Sequence, residues 1–320
     1  MRILLTGATG FVGGAVATRL ESDAVHSLLL AMRSPSLLSV FPSPSFETIV
    51  VPDLSSTTDW TSALEGRDVA IHSAARAHVM NDKAEDSLRA FREVNTEGTL
   101  ALARQAAEAG VKRFIFISSI KVNGEGTPEG CPYTAFDAPA PVDPYGISKH
   151  EAEEGLKVIA AESGMEVVII RSVLVYGPGV KANFRTMMNW LTKGVPLPLG
   201  AIDNKRSLVA LDNLVDLIVT CIDHPAAANQ TFLVSDGEDL SVTQLLRRLG
   251  KALDTPVRLV PVPVWVLNTA AAVLGKRDVA QRLCGGLQVD IRHTCETLSW
   301  APPVSVDEGL SAAAEAFLSE

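Results

Sequence analysis

Tyr145 and Lys149 are the residues of this chain best suited to moving a proton. They stand four apart in PYGISK, so at the start of a helix both project from one face within a single turn. A tyrosine is a poor acid or base at neutral pH, its ordinary pKa being about 10. A neighbouring ammonium stabilises the phenolate. Lowering the value by about 3 units needs roughly 4 kcal/mol of differential interaction, which a preorganised, partly dry site can supply. An exposed helix can carry the same pair with no chemistry attached. Ser118 and Ser119 offer a third polar group at the end of an apolar run. On a continuing strand they face opposite ways, so one of them can hydrogen-bond a carbonyl oxygen beside Tyr145. The alternative is an N-cap or turn role.

The stretch that weighs on this choice is the first, MRILLTGATGFVGG. An apolar run over Arg2–Thr6 leads into Gly7, Gly10 and Gly13, and a helical pattern follows through Val12, Val16, Ala17 and Leu20. Strand, glycine turn and helix in that order form a dinucleotide-binding βαβ unit. Gly7 permits the sharp turn off the strand. Gly10 lets backbone approach a pyrophosphate, and Gly13 lets the helix pack close to the strand. The helix N-terminus then offers unpaired N–H groups to an anion.

The elements that must position these residues alternate. Strands are expected at Val25–Met32, Phe46–Val51, Asp68–His72, Phe114–Ser118 and Val167–Arg171. A long helix is expected from about Asp86 to Ala109, closed by Gly110, and another from about Tyr145 to Ser163, closed by Gly164. The pattern implies an α/β fold, a Rossmann-type doubly wound parallel sheet with ligands at the carboxyl ends of the strands. Beyond Gly177 the rhythm breaks into Pro- and Gly-rich connections and helices, with Leu208–Asp223 read as a helix returning to the first domain. The expected division is a dinucleotide-binding domain over 1–176 with about 205–225, and a smaller, mostly helical substrate domain over 177–204 and 226–320.

Bulk composition excludes several roles. The 320 residues are 47% hydrophobic and 20% charged, with a net charge of −9, a globular balance that speaks against a general nucleic-acid surface. Cys131, Cys221, Cys284 and Cys295 lie far apart without a CxxC pair, so they read as reduced thiols of a cytoplasmic protein, with neither a disulfide framework nor a metal site. No signal peptide is expected, since the first residues already form a strand. The apolar run Val257–Leu274 carries Arg258, two prolines and Asn268. Stable membrane insertion is therefore excluded, and a buried or weakly membrane-facing helix is expected there.

TGATGFVG at 6–13, Asn95 in VNTEGT, SSIKVNG at 118–124, YGISK at 145–149 and RSVLVYGPG at 171–179 together resemble the extended short-chain dehydrogenases/reductases, nearly end to end. The resemblance implies a nucleotide-sugar enzyme. Gly7, Thr9, Gly10, Phe11, Val12 and Gly13 match the cofactor loop. Asp53 and Leu54 match a pair that touches adenine, and Ala74 and Ala75 match backbone lining the cofactor. Tyr145 matches the catalytic acid/base, Lys149 the residue that holds the nicotinamide ribose, and Ser119 the catalytic serine. Asn95 matches an asparagine that props the active-site helix. For the substrate, Asn183 matches a diphosphate ligand, Arg206 an arginine near ribose and phosphates, and Arg282 is a further candidate, arginine pairing bidentately with such oxygens.

Departures from the family's pattern narrow the reaction. The second strand ends in Arg33 without an acidic residue, which favours NADP(H), with NAD(H) the alternative. Ile120 and Lys121 stand where sugar dehydratases carry an acidic pair, so dehydration is not expected. The Cys and His pair of GDP-fucose-type epimerase-reductases finds no match. The resemblance therefore implies NADP(H)-dependent reduction of the C4 ketone of a UDP-linked 4-keto-6-deoxy-N-acetylhexosamine in surface-polysaccharide synthesis, the UDP-N-acetylquinovosamine type. The alternatives are an NAD-dependent UDP-hexose 4-epimerase, a reductase of a non-nucleotide ketone, and a non-catalytic dinucleotide sensor. A homodimer is the family's implied assembly.

Overall fold

The computed structural model describes residues 1–23, 25–34, 46–51, 53–77, 87–275 and 277–320, the side chains of 277–279 and 282 excepted. The strands are β1 Arg2–Thr6, β2 Ser27–Met32, β3 Glu47–Val50, β4 Val69–His72, β5 Arg113–Ser119, β6 Glu166–Ser172, β7 Leu174–Tyr176, β8 Arg206–Ala210, β9 Thr231–Val234 and β10 Asp239–Leu240. The helices are α1 Phe11–Asp23, α2 Thr61–Leu64, α3 Ser87–Phe91, α4 Thr99–Glu108, α5 Pro144–Ser163, α6 Ala182–Thr192, α7 Leu211–Thr220, α8 Val242–Ala252, α9 Val264–Val273, α10 Arg277–Cys284, α11 Arg292–Leu298 and α12 Val306–Leu318.

Seven strands pair in the order β3-β2-β1-β4-β5-β6-β9, every pairing parallel. The side-chain period of two explains the layers. Ile3, Leu5, Leu28, Leu30, Ile115 and Ile117 point to one face, into a core shared with α1 and α7. Leu4, Leu29, Phe114 and Phe116 point to the other, against residues of α4 and α5. Helices therefore cover both faces, as the strand and helix alternation requires.

Two expectations need correction. The stretch expected as one helix over 208–223 begins as strand β8 and becomes α7 only at Leu211. β8 sits between β7 and β10 in a separate three-stranded sheet, a tertiary pairing that a continuous apolar run does not disclose. The long helix expected to Ala109 is helical throughout its described part, but α3 and α4 are joined by a π-helical segment, Arg92–Gly98. That insertion surrounds Asn95, and π-turns inside helices concentrate at functional sites. The segment's expected first residue, Asp86, lies outside the described residues. The third core cluster packs Tyr176, Phe184, Leu208, Leu246 and Leu310 beneath the small sheet.

His72 ends β4 without solvent contact. Its Nδ1 meets Thr6 Oγ1 at 2.7 Å and its Nε2 meets Thr99 Oγ1 at 3.0 Å. Burial, with Lys149 nearby adding to it, lowers its pKa to about 3. The folded state thus prefers the neutral ring, so protons bind the unfolded chain more tightly. Stability is full above the ordinary value of about 6.5 and falls as pH drops from there toward 3, by about 2 kcal/mol at pH 5. Denaturant titrations at several pH values will show this slope in the native chain, and a much shallower one in His72→Asn. Equal slopes would refute the assignment.

Candidate active site

The site forms where β1, β4 and β5 end side by side. Gly7 follows β1 with φ +77°, a left-handed conformation that side chains resist. A Cβ on Gly7 would stand 2.6 Å from Ala74 N, and one on Gly13 would collide with Gly7 O. The turn is thus packed against the segment after β4, with Ser73 Oγ donating to Thr6 O at 2.7 Å. By contrast, a Cβ on Gly10 would meet only Gly7 O, at 3.1 Å. Thr9 and Gly10 are exposed, whereas Phe11 and Val12 are half-buried and pack on the core of the main sheet. An open glycine turn backed by the first-turn amides of a thirteen-residue helix fits a dinucleotide's diphosphate.

The remaining expected cofactor positions vary in what surrounds them. Asp53 is exposed, and its Oδ1 accepts from Thr58 Oγ1 at 2.9 Å, a local cap for the turn after β3. Leu54 packs beside Gly98, where a Cβ would come within 2.9 Å of it. Ala74 is half-buried and Ala75 exposed along the segment that follows β4. Arg33 is exposed just after β2. Asn95 is buried. Its Oδ1 accepts from Arg76 N at 2.8 Å, and its Nδ2 donates to Ser148 Oγ at 3.1 Å. It therefore ties the segment after β4 to α5.

Helix α5 starts where its sequence says it should. Asp143 caps it by accepting from Gly146 N at 2.6 Å, Pro144 follows, and Gly164 closes it in the left-handed conformation. Gly146 is required by approach: a Cβ there would lie 2.7 Å from Lys121 O. Tyr145 is half-buried, its ring edge-on to Phe91 with centroids 6.1 Å apart. Lys149 is 1% exposed. Its Nζ donates to Ile117 O at 2.8 Å and stands 6.0 Å from the centre of the Tyr145 ring. Of the two serines, Ser118 is buried and donates to Glu153 Oε1 at 2.5 Å. Ser119 stays half-buried and caps the turn at 120–122 by accepting from Lys121 N. Strand alternation leaves Ser119 as the serine with a side chain to spare.

The electrostatics run against one expectation. Burial pushes the Tyr145 phenol up to about 12, with the Asp143 carboxylate adding to the rise. Burial also pulls the Lys149 ammonium down to about 7, opposed by Glu153. In the protein alone, Lys149 does not make Tyr145 easier to ionise, because its ammonium serves the Ile117 carbonyl and is itself close to losing its charge. The phenol is a hydroxyl at neutral pH, a proton donor unless further positive charge enters the site.

The substrate candidates lie apart from this cluster in sequence. Asn183 is exposed in the first turn of α6. Arg206 opens β8, and its Nη1 donates to Gly285 O at 3.2 Å, while burial lowers its pKa. Arg282 falls within α10, but its side chain lies outside the described residues.

Sequence reasoning missed a buried ion pair directly beneath the site. Glu153 is one turn beyond Lys149 on α5, fully buried, and Arg171 on β6 is 2% exposed. Arg171 Nη2 donates to Glu153 Oε2 at 2.5 Å, and its Nη1 donates to Asn123 Oδ1 at 2.9 Å. The visible signal was the spacing Tyr145, Lys149, Glu153, three residues on one helical stripe.

Comparison with known proteins adds the following. The sequence profile of the NAD dependent epimerase/dehydratase family matches residues 3–235. A UDP-glucose 4-epimerase of Vibrio cholerae is 53% identical over 317 residues, 99% of this chain and 95% of that protein. An N-acetyl-alpha-D-glucosaminyl-diphospho-ditrans,octacis-undecaprenol 4-epimerase of Escherichia coli O157:H7 is 25% identical over 96% of this chain and 92% of its own length. The solved UDP-glucuronic acid 4-epimerase of Bacillus cereus, in complex with NAD, has the same fold, with a TM-score of 0.79 at 20% identity over 100% of this chain and 99% of that one.

Proposed function

The chain belongs to the NAD dependent epimerase/dehydratase family of extended short-chain dehydrogenases/reductases, and on that premise we propose that it interconverts a UDP-hexose and its C4 epimer with NAD as resident cofactor. The observation that carries this reading is the near full-length 53% identity to a UDP-glucose 4-epimerase. It favours the epimerase over the NADP(H)-dependent 4-ketoreductase that the sequence motifs first suggested. Arg33 is then a solvated residue at the end of β2 and not a ligand for a 2′-phosphate.

In this reading the glycine turn 7–13, Asp53, Leu54, Ala74 and Ala75 hold the dinucleotide. When bound, oxidised NAD supplies the hydride acceptor for C4 and a positive charge that favours the Tyr145 phenolate. Tyr145 takes the proton from the C4 hydroxyl as the C4–H bond breaks, leaving a C4 ketone, and returns it to the same oxygen when C4 regains hydrogen on its opposite face. Ser119 hydrogen-bonds that oxygen throughout. Lys149 binds the cofactor ribose. Asn183, Arg206 and Arg282 receive the UDP diphosphate and ribose. The expected division, 1–176 with about 205–225 for the dinucleotide and 177–204 with 226–320 for the substrate, needs two changes: β9 pairs with β6 in the seven-stranded sheet, so 231–234 goes with the dinucleotide domain, and β8, which carries Arg206, pairs with β7 and β10 in the small sheet on the substrate side.

The test is chromatographic. Purified protein given UDP-glucose will produce its C4 epimer up to a fixed equilibrium ratio, with no net formation of reduced dinucleotide, and acid denaturation will release NAD. Stoichiometric oxidation of NADPH by a UDP-4-keto-6-deoxy-N-acetylhexosamine, without interconversion of UDP-hexoses, would overturn this reading in favour of the ketoreductase.

A further inference from the structure

Helix α9, VWVLNTAAAV, is almost entirely apolar, yet none of its ten residues is buried. Val264 and Leu267 lean on the core of the smaller sheet. The opposite face presents Trp265, Thr269 and Val273 at spacings of one helical turn. Trp265 is 70% exposed, Val273 82%, and Leu274, just beyond the helix, 70%. A helix on an aqueous surface turns mostly polar residues outward, whereas this one exposes Trp265 and Val273 beside its two polar residues, Asn268 and Thr269. The stripe's one polar side chain is satisfied within the helix: Thr269 Oγ1 donates to Trp265 O at 2.8 Å.

Charge identifies the medium. Between residues 251 and 278 the sequence holds Lys251, Arg258, Lys276 and Arg277 against Asp254 and Asp278, in a chain whose net charge is −9. Lys251 and Arg258 are exposed. An apolar face with a tryptophan, carried on a locally basic segment, complements an anionic lipid surface. A stripe of so few side chains falls short of the ~800 Å² per partner that a stable protein interface needs. Among the described residues no helix is long and apolar enough to cross a membrane, so the contact lies in the plane of the interface. We propose that the outward face of α9 docks this protein reversibly on anionic lipid.

Vesicle sedimentation at low ionic strength tests it without reference to catalysis. The full chain will pellet with phosphatidylglycerol-containing vesicles, much less with phosphatidylcholine alone, and salt will release it. Joint replacement Trp265→Glu and Val273→Glu will reduce the bound fraction roughly tenfold or more with the melting temperature unchanged, whereas Trp265→Phe will retain binding. Failure of the native chain to pellet with anionic vesicles would overturn the proposal. So would a native dimer that Trp265→Glu splits while neither form binds lipid, since a second copy would then cover the face.

Discussion

Tyr145→Phe will fold as the native chain does and turn over about 10³-fold more slowly, in the middle of the range that general acid–base catalysis contributes. The substitution removes one oxygen and keeps the ring, so the edge-on contact with Phe91 at 6.1 Å survives. The Asp143 cap of α5, which involves Gly146 N and not the phenol, is untouched. What disappears is the one group on this face of α5 that can carry the substrate's proton. Lys149 cannot substitute for it: the ammonium is 1% exposed and committed to Ile117 O. The variant should therefore keep its melting temperature and its affinity for NAD, and lose kcat. The pH dependence supplies a sharper check. Since burial holds the phenol near 12 in the protein alone, a spectrophotometric titration of Tyr145 against the phenylalanine variant should show ionisation moved to lower pH once NAD is added. Turnover at the native rate in Tyr145→Phe would refute the role assigned to this residue.

The parts of the site that could be read in the sequence are those fixed by local geometry. Gly7, Gly10 and Gly13 could be interpreted because a tight strand-to-helix turn constrains residues only a few positions apart, and the structure supplies the reason at two of them: φ +77° at Gly7 and a collision at Gly13. Tyr145 and Lys149 were legible for the same reason, being one turn apart on a helix whose start and stop signals are explicit. Ser118 and Ser119 were legible only as a pair of opposite-facing candidates. Choosing between them depends on Glu153, thirty-five residues away and bonded to Ser118. The helix expected over 208–223 failed because RSLVALDNLVDLIV contains no breaker where strand gives way to helix, and β8 is a strand by virtue of β7 and β10 on either side. The direction of the Tyr145 shift was misread for a related reason. Proximity to a lysine is visible in sequence, but the burial that neutralises the lysine and disfavours the phenolate is a property of the packed site.

Arg171→Met will destabilise the fold by about 3–5 kcal/mol, because it strands a buried carboxylate. Glu153 has no exposed surface. It is held by Arg171 Nη2 at 2.5 Å, by Arg171 Nε at 3.0 and 3.1 Å, and by Ser118. With the guanidinium gone, Ser118 alone cannot solvate the charge, and Asn123 loses the donor to its Oδ1. A fall in melting temperature of at least about 5 °C is expected for a chain of this size, and a change of a degree or less would show that the pair adds nothing. The double variant Arg171→Met with Glu153→Leu separates packing from chemistry. Replacing both members of a buried pair with apolar groups is often neutral or stabilising, so most of the lost melting temperature should return. Activity should not. Glu153 is the charge that opposes the burial-driven fall of the Lys149 pKa, and without it the ammonium loses its proton at still lower pH. The double variant should therefore melt near the native temperature and show the Lys149-dependent limb of its rate profile displaced to lower pH. Recovery of stability together with an unshifted profile would mean that the pair supports the fold alone and leaves Lys149 to its carbonyl partner on β5.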